Sequence, residues 1–407
     1  MSTESISRPT LRAIVRDYLF MGQPLGDYLR SLVTPWNAIA ALVLAVGIPV
    51  IVVRLLFGLG ATTNLSDTTP WGLWIGVDVL SGVALAAGGY VIGVTFYVLG
   101  MKEYRPLVRP AVLTAFIGYV FVIIGLLLDL GRPWRLPYPL FISFGLTSVL
   151  FMVAWHFALY TACAFLEFSP AIFEWLNLRR LRNLVARMTL WVTIIGAVVA
   201  TGHQSALGGL FLMAPGKLHP LWYSPMLPLF FFVSSVAAGL SIVIVESGLS
   251  HRAFRRQPAP NHEGELDNLT LGLAKAGALV LFGYFWLKVV GIVADDAWSY
   301  LWTGPGQWFL VEVLGFVLLP SILFLVASRE HSVRLARVTA LLTVTGVVIN
   351  RVNVSVVAFN WQNHTYVPRW TEIVVTLTLV TLLLLTFRWV VNRMPVLREH
   401  PEYPPEE

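Results

Sequence analysis

Eleven polar side chains lie within or beside long apolar runs of this 407-residue chain, where burial makes them expensive unless they have a partner or a task. Asp78, His203, Gln204, Lys288, Glu312 and Arg351 fall towards one end of their runs, and Glu167, Glu246 and Lys275 towards the other. Tyr119 and His156 lie between these levels. Carboxyl, imidazole and phenol groups in a row can pass protons. The same groups can hydrogen-bond the oxygens of a flat, lipid-soluble electron carrier, which needs a donor at each carbonyl, a proton source and an apolar slot. His203 in ATGHQSALGGL is flanked by small residues that leave room for such a ligand, and Gln204 adds donors and an acceptor. His203 with Asp78 would supply the hydrogen bond and the proton.

Other polar positions admit structural readings. Lys288 and Glu312 fall at similar depth on neighbouring runs and are expected to form an ion pair. Arg351, between Asn350 and Asn353, reads as a tie between helices, and Glu167 and Lys275 as side chains reaching to the surface. In LDLGRPWRL, Asp129 and Arg132 either cap a helix end or offer a carboxylate and a cationic donor to a ligand oxygen or a partner protein. Trp71 either walls a slot or anchors the interface.

The elements that must carry these residues are membrane helices. The chain is 57% hydrophobic and 12% charged, about half the charged share of a soluble domain. Runs long enough to span a bilayer lie near 38–58, 71–99, 110–130, 142–166, 188–213, 227–249, 270–294, 307–327, 335–358 and 371–391. They lack two-residue alternation, so the expected fold is all-α, a polytopic bundle of about ten transmembrane helices. Twenty of the 28 Lys and Arg residues fall on the N-terminal side of the bundle and four in the opposite loops, which predicts that both termini are cytoplasmic. The same alternation assigns the basic pI to topology rather than to nucleic acid.

Residues 1–36 read as a cytoplasmic segment containing an amphipathic surface helix over 11–33, residues 37–393 as the membrane domain and 394–407 as a cytoplasmic tail. The opposite loops are rich in Trp, Tyr and Pro, an apolar external face suited to a peripheral protein. The single cysteine, Cys163, reads as a small buried hydrophobe, and no metal site is expected.

Seven segments carry a resemblance. PWGLWIGVDVLSG, RPLVRPAVLTAFIGY, DLGRPWRLPY, EFSPAIFE, HQSALGGL, KLHPLW and SIVIVESGL occur in that order. As a set they resemble the polysulfide-reductase, NrfD-type (NrfD/PsrC) membrane subunits, and among these the ten-helix branch of the hydrogenase subunit HybB and the quinone-reductase-complex subunit QrcD. The resemblance implies a subunit of a quinone-linked oxidoreductase in a prokaryotic inner membrane. Such a subunit would bind menaquinone or ubiquinone near the outer face and carry neither haem nor iron–sulfur cluster itself. Its implied partner is an extracytoplasmic, four-cluster ferredoxin-like iron–sulfur protein, with NiFe-hydrogenase, molybdopterin or multihaem cytochrome subunits beyond it. The residues themselves place the expected quinone site at Trp71, Asp78, Asp129, Arg132, His203 and Gln204, and the resemblance implies proton transfer through Tyr119, His203 and Glu246, which His156 and Glu167 are expected to join.

One position departs from the hydrogenase pattern. Met152 in SVLFM stands where that branch has Glu, with His156 one turn further on the same face. The rival readings are a haem-binding cytochrome that uses His156 and His203, an ion transporter, and an inert anchor.

Overall fold

The computed structural model describes residue 16 and residues 18–254, 263–359, 361–362 and 366–397. Ten helices in it are long and apolar enough to cross a membrane. In chain order they are α1 (Pro35–Phe57), α2 (Trp74–Val98), α3 (Lys102–Asp129), α4 (Val149–Trp175), α5 (Thr189–Met213), α6 (Leu227–Ala253), α7 (Gly264–Ala294), α8 (Gly304–Arg329), α9 (Val333–Ala358) and α10 (Trp370–Arg393). Among the described residues there is no strand, and the chain is an all-α polytopic membrane protein. An even number of crossings returns the chain to its starting side. Arg393 accordingly donates to the Leu19 carbonyl at 2.5 Å and to the Tyr28 hydroxyl at 2.9 Å.

The expected spans and the observed helices agree in number and order but differ at their ends. α3 starts at Lys102 rather than 110, and α4 runs from Val149 to Trp175 rather than from 142 to 166. The Ser148 side chain caps the N-terminus of α4, and the apolar stretch before it is an exposed loop carrying Ile142, Phe144 and Leu146. The surface helix expected over 11–33 is broken. Left-handed residues at Met21 and Gly22 interrupt it, and a helix then covers only Leu25–Ser31; residues 11–15 and 17 lie outside the described residues.

α2 lies at the centre of the bundle, packed against α3, α6 and α9. Its glycines make this possible. Where α2 crosses α6, a Cβ on Gly239 would stand 2.9 Å from the backbone nitrogen of Gly88, so no larger residue fits that crossing. α2 is not a uniform α-helix. Trp74–Ser81 and Val94–Val98 are wound in wide π-helical turns, as are Val311–Leu318 of α8 and Asn353–Ala358 of α9. Such turns are rare and concentrate at functional positions. Here they carry Asp78, Glu312 and Asn353. α1 is peripheral and packs mainly on α10.

Candidate functional site: a line of unpaired polar groups along α3

α3 serves as a ruler across the membrane. Thr114, Tyr119, Gly125 and Asp129 follow one another along it, covering about 22 Å at 1.5 Å per residue. The predicted site residues distribute into three groups at successive levels of this helix.

At the side of the Lys- and Arg-rich loops, Glu246 of α6 faces Thr114. Neither carboxylate oxygen reaches hydrogen-bond geometry with a protein atom. Glu246 lines a cavity of about 60 Å³ together with Pro106, Pro110, Ser247, Ser250 and Leu266, residues at the loop ends of α3, α6 and α7. That is room for several water molecules. Glu167 lies apart, on α4, where its Oε1 accepts from the Thr193 hydroxyl of α5 at 2.5 Å. It is bound within the bundle rather than reaching to the surface.

The middle group is sealed. Tyr119, His203 and Gln204 have no accessible surface. The His203 ring stands edge-on to Phe157 at 4.2 Å between centres, and 5.8 Å from Tyr119, which in turn lies 4.4 Å from Tyr160. Gln204 donates to the Val83 carbonyl of α2 at 3.0 Å. Both His203 nitrogens, the hydroxyls of Tyr119 and Tyr160 and the Gln204 Oε1 make no hydrogen bond to another protein atom. A buried polar group without a partner costs about 1–3 kcal/mol, so this cluster is an expensive one to keep.

His156 occupies the next turn of α4 from Met152, with Nδ1 2.6 Å from the Met152 carbonyl. Its Nε2 abuts α5, 2.8 Å from where a Cβ on Gly202 would stand. The imidazoles of His156 and His203 thus have Phe157 and the α5 backbone about them.

The third group lies at the opposite, Trp- and Tyr-rich side. Asp78 packs against Gly125, six residues and about 9 Å beyond Tyr119 along α3. Asp78 and His203 are therefore not brought together. The Asp78 Oδ2 instead accepts from the Thr376 hydroxyl of α10 at 2.9 Å. Asp129 is a charged neighbour of Asp78, Arg54 and Glu372, and its Oδ1 has no hydrogen-bond partner. Asp78 and Asp129 are half-buried, which separates them from the sealed His203 cluster.

Arg132 is exposed and does not cap α3. Arg54 of α1 takes that role, donating to the Leu128 carbonyl at 2.6 Å and the Leu130 carbonyl at 2.5 Å. Glu372 accepts from the Tyr366 hydroxyl and, through Oε1, from the backbone of Asn64 at 2.9 Å and Arg369 at 3.1 Å. Burial and the adjoining Glu372 carboxylate push the Tyr366 phenol well above its usual range. Trp71 stands elsewhere, stacked on Phe359 at 5.2 Å and edge-on to Phe211 at 5.4 Å.

Arg54, Thr376 and Glu372 are site residues that the sequence reading did not select. An arginine inside the first span and a glutamate in the first turn of α10 were the available signals.

The expected Lys288–Glu312 ion pair is absent. Glu312 accepts from Trp222 Nε1 at 2.8 Å, Asn350 Nδ2 at 2.6 Å and Asn353 Nδ2 at 2.5 Å, three donors on its two oxygens. Arg351 ties helices as anticipated. It donates to Asn350 Oδ1 at 2.7 Å, Ser234 Oγ at 2.8 Å and the Phe231 carbonyl at 3.1 Å, and lies 3.8 Å over the Phe231 ring.

This arrangement of ten helices with buried polar groups can be compared with known proteins. The family described as polysulphide reductase, NrfD, matches residues 61–360. The chain belongs to the NrfD family. Three relatives bracket its place there. A protein of Nitratidesulfovibrio vulgaris is 50% identical over 377 residues, 92% of this chain and 97% of its own length. The probable Ni/Fe-hydrogenase 2 b-type cytochrome subunit of Escherichia coli is 33% identical, over 85% of this chain and 88% of its own. The menaquinone reductase integral membrane subunit of N. vulgaris is 26% identical, over 77% of this chain and 80% of its own. The second and third of these relatives are named as subunits of redox enzymes.

Proposed function

We propose that this NrfD subunit binds menaquinone or ubiquinone and exchanges electrons between that pool and an iron–sulfur protein docked on its Trp- and Tyr-rich face. The membrane would be the inner membrane of a prokaryote, with the Lys- and Arg-rich loops in the cytoplasm. The observation that carries this reading is the α3 line itself. Carboxylate, phenol and imidazole groups, most of them without a hydrogen-bond partner, extend from a cavity at Glu246 to the half-buried carboxylates Asp78 and Asp129, the proposed mouth. Two relatives add support, one named for menaquinone reduction and one for hydrogenase.

A quinone supplies two-electron, two-proton chemistry. At the mouth, Asp78 and Asp129 would each offer a carboxyl oxygen to the headgroup, with Thr376 orienting Asp78. Arg54 supplies positive charge beside Asp129. The free Oδ1 of Asp129 would accept from a ligand hydroxyl or, when protonated, donate to a ligand carbonyl, and Arg132 at the surface is a second donor or a contact for the partner. His203, sealed behind Phe157, would act on protons rather than on the headgroup. Tyr119 and Tyr160 link it to Glu246, which takes protons from the water-sized cavity. The steps of about 7–9 Å along α3 exceed a hydrogen bond and require bridging water. Each charge carried across costs or returns about 2.3 kcal/mol per 100 mV, so the side that supplies the protons sets whether turnover conserves energy. Exposed Trp134, Trp302, Val367 and Trp370 at the same end offer the partner an apolar surface.

The test is steady-state turnover of the complex purified through this chain, with reduced methyl viologen as donor and a synthetic short-chain quinone as acceptor. Asp78→Asn is expected to raise the KM for quinone about tenfold with assembly intact, a loss of about 1.4 kcal/mol of binding. Unchanged KM in both Asp78→Asn and Asp129→Asn would remove the mouth from the quinone site.

A further inference from the structure

α4 ends in a turn that leads the chain along the edge of the bundle. Asn177 takes a left-handed conformation, φ 53°, and the Leu178 N–H donates back to the Phe173 carbonyl at 2.8 Å. An eight-residue helix follows, Arg179–Ala186, and α5 begins at Thr189. The short helix is thus tethered at both ends to membrane-crossing helices, on the side of the Lys- and Arg-rich loops.

Its rotation is fixed from inside. Arg182 is buried and donates from Nε to Glu174 Oε1 at 3.3 Å, while Arg109 of α3 forks onto both Glu174 oxygens at 2.8 Å. With Arg182 turned inward, the 3.6-residue repeat assigns the other faces. Leu181, Leu184 and Met188 form an outward arc, with Leu184 57% exposed, and Trp191 in the first turn of α5 is 67% exposed. Arg180 and Arg187 stand beside that arc, both exposed, within about 20° of one another and about 10 Å apart along the axis. Among the described residues neither guanidinium has an acceptor.

This division fits one environment. Water would leave the leucines and the indole exposed, and hydrocarbon would strand the arginines, but the headgroup layer of a bilayer receives both. Charge then selects the headgroup. Glu174 compensates the arginines on the inward side, whereas beyond it the sequence has no Asp or Glu until Glu246. The outward pair therefore calls for an anion from outside the chain. A guanidinium fork matches phosphate oxygens bidentately, and an anionic headgroup brings no ammonium of its own to repel it.

We propose that Arg180 and Arg187 hold the phosphates of anionic phospholipid, one to each arginine, with the acyl chains laid along Leu184, Met188 and Trp191. The site stands apart from the quinone reading, which uses neither arginine.

Trp191 provides the probe. The complex purified through this chain is placed in nanodiscs of phosphatidylglycerol and phosphatidylethanolamine, with bromine on the acyl chains of one lipid at a time. The indole emission lost in Trp191→Phe isolates the Trp191 signal. Brominated phosphatidylglycerol is expected to quench that signal as strongly as brominated phosphatidylethanolamine present in about tenfold excess. In the double variant Arg180→Gln, Arg187→Gln the preference is expected to fall to about twofold or less. Equal quenching by the two lipids around the unaltered chain overturns the proposal, as does a preference that survives in the double variant. Inorganic phosphate added at matched ionic strength is expected to leave the preference intact. Its loss would mean a site for a soluble anion and overturn the lipid assignment. If the Trp191 variant or the double variant fails to assemble, Arg180→Gln and Arg187→Gln are compared singly, by mass spectrometry of the lipids that leave the nanodisc with the complex. A several-fold smaller excess of anionic lipid in each supports the site, and an unchanged excess refutes it. Quinone turnover enters neither readout, so a failure of the preceding function leaves this test standing.

Discussion

Two clusters of buried polar side chains stand about α6, and they are built on opposite terms. In the α8–α9 cluster, Glu312 accepts three N–H groups and Arg351 donates to three oxygens. In the α3–α5 cluster, His203, Tyr119 and Tyr160 are as deeply buried and satisfy almost nothing. Residue type and depth are similar, so neither separates structure from chemistry. The number of committed lone pairs and protons does. A largely satisfied cluster, in which the Arg351 Nε still lacks a partner, holds helices together, whereas a largely unsatisfied one retains the capacity to accept and donate.

This contrast can be broken experimentally. The largest effect is expected from Glu312→Ala, which strands three buried donors beside Arg351. At about 1–3 kcal/mol for each donor, the loss should be about 3–9 kcal/mol and appear as a collapse of the melting temperature or yield in detergent. A variant as stable as the parent would show that saturation is not what holds α8 and α9. His203→Phe should do the reverse. Quinone turnover falls about a hundredfold, as for loss of a general acid or base, while stability moves by less than about 1 kcal/mol because no hydrogen bond is lost. If it unfolds the protein as Glu312→Ala does, the two clusters are alike and the proton reading of His203 fails.

Smaller effects sharpen the boundary. Tyr366→Phe removes the hydroxyl shared by Glu372 and the Leu73 amide and should cost about 1–2 kcal/mol of stability. Turnover is expected to fall less than in His203→Phe, since Tyr366 supports the mouth without lining the α3 line. The weakest effect is a pH dependence at His219, outside the helices. Burial lowers its pKa below the ordinary histidine value, and its Nδ1 accepts from the Leu221 amide at 3.2 Å. The unfolded chain therefore takes up the proton first as pH falls. The stabilising contribution is complete above about pH 6.5 and fades below it. A melting temperature that does not drop more steeply towards acid in the parent than in His219→Gln would remove this contribution.

Ten crossings and their order were legible because apolar length is written into each run. The ends were not, because hydropathy stops reporting where a helix leaves the hydrocarbon. The apolar stretch 142–148 scores as membrane, yet Gly145 and the Ser148 cap keep it out of α4. The chemistry-bearing residues were also legible as types, since a carboxylate or imidazole inside an apolar run is visible in any reading. Their partners were not. Whether Glu312 meets Lys288 or two asparagines depends on how α8 is rotated against α7 and α9, and Arg54 reaches the Leu128 and Leu130 carbonyls beside Asp129 only because α1 packs beside α3 and α10. The free valences of His203 depend on which neighbours fail to reach it, and a one-dimensional pattern does not encode that.

The pairing of α1 with α10 has a consequence for how the protein is made. α1 is the first of the ten helices to emerge from the ribosome, but the surface it rests on is the last, more than three hundred residues later. At roughly 5–20 residues per second, α1 waits in the bilayer for some tens of seconds with most of its circumference facing lipid. Its sparse contact with the other helices suits that wait, since apolar side chains such as Leu42 and Leu56 are exposed to lipid rather than packed in the bundle. Arg54 then engages the end of α3 while its own neighbour is still being translated, and seating of α10 closes the ring of helices.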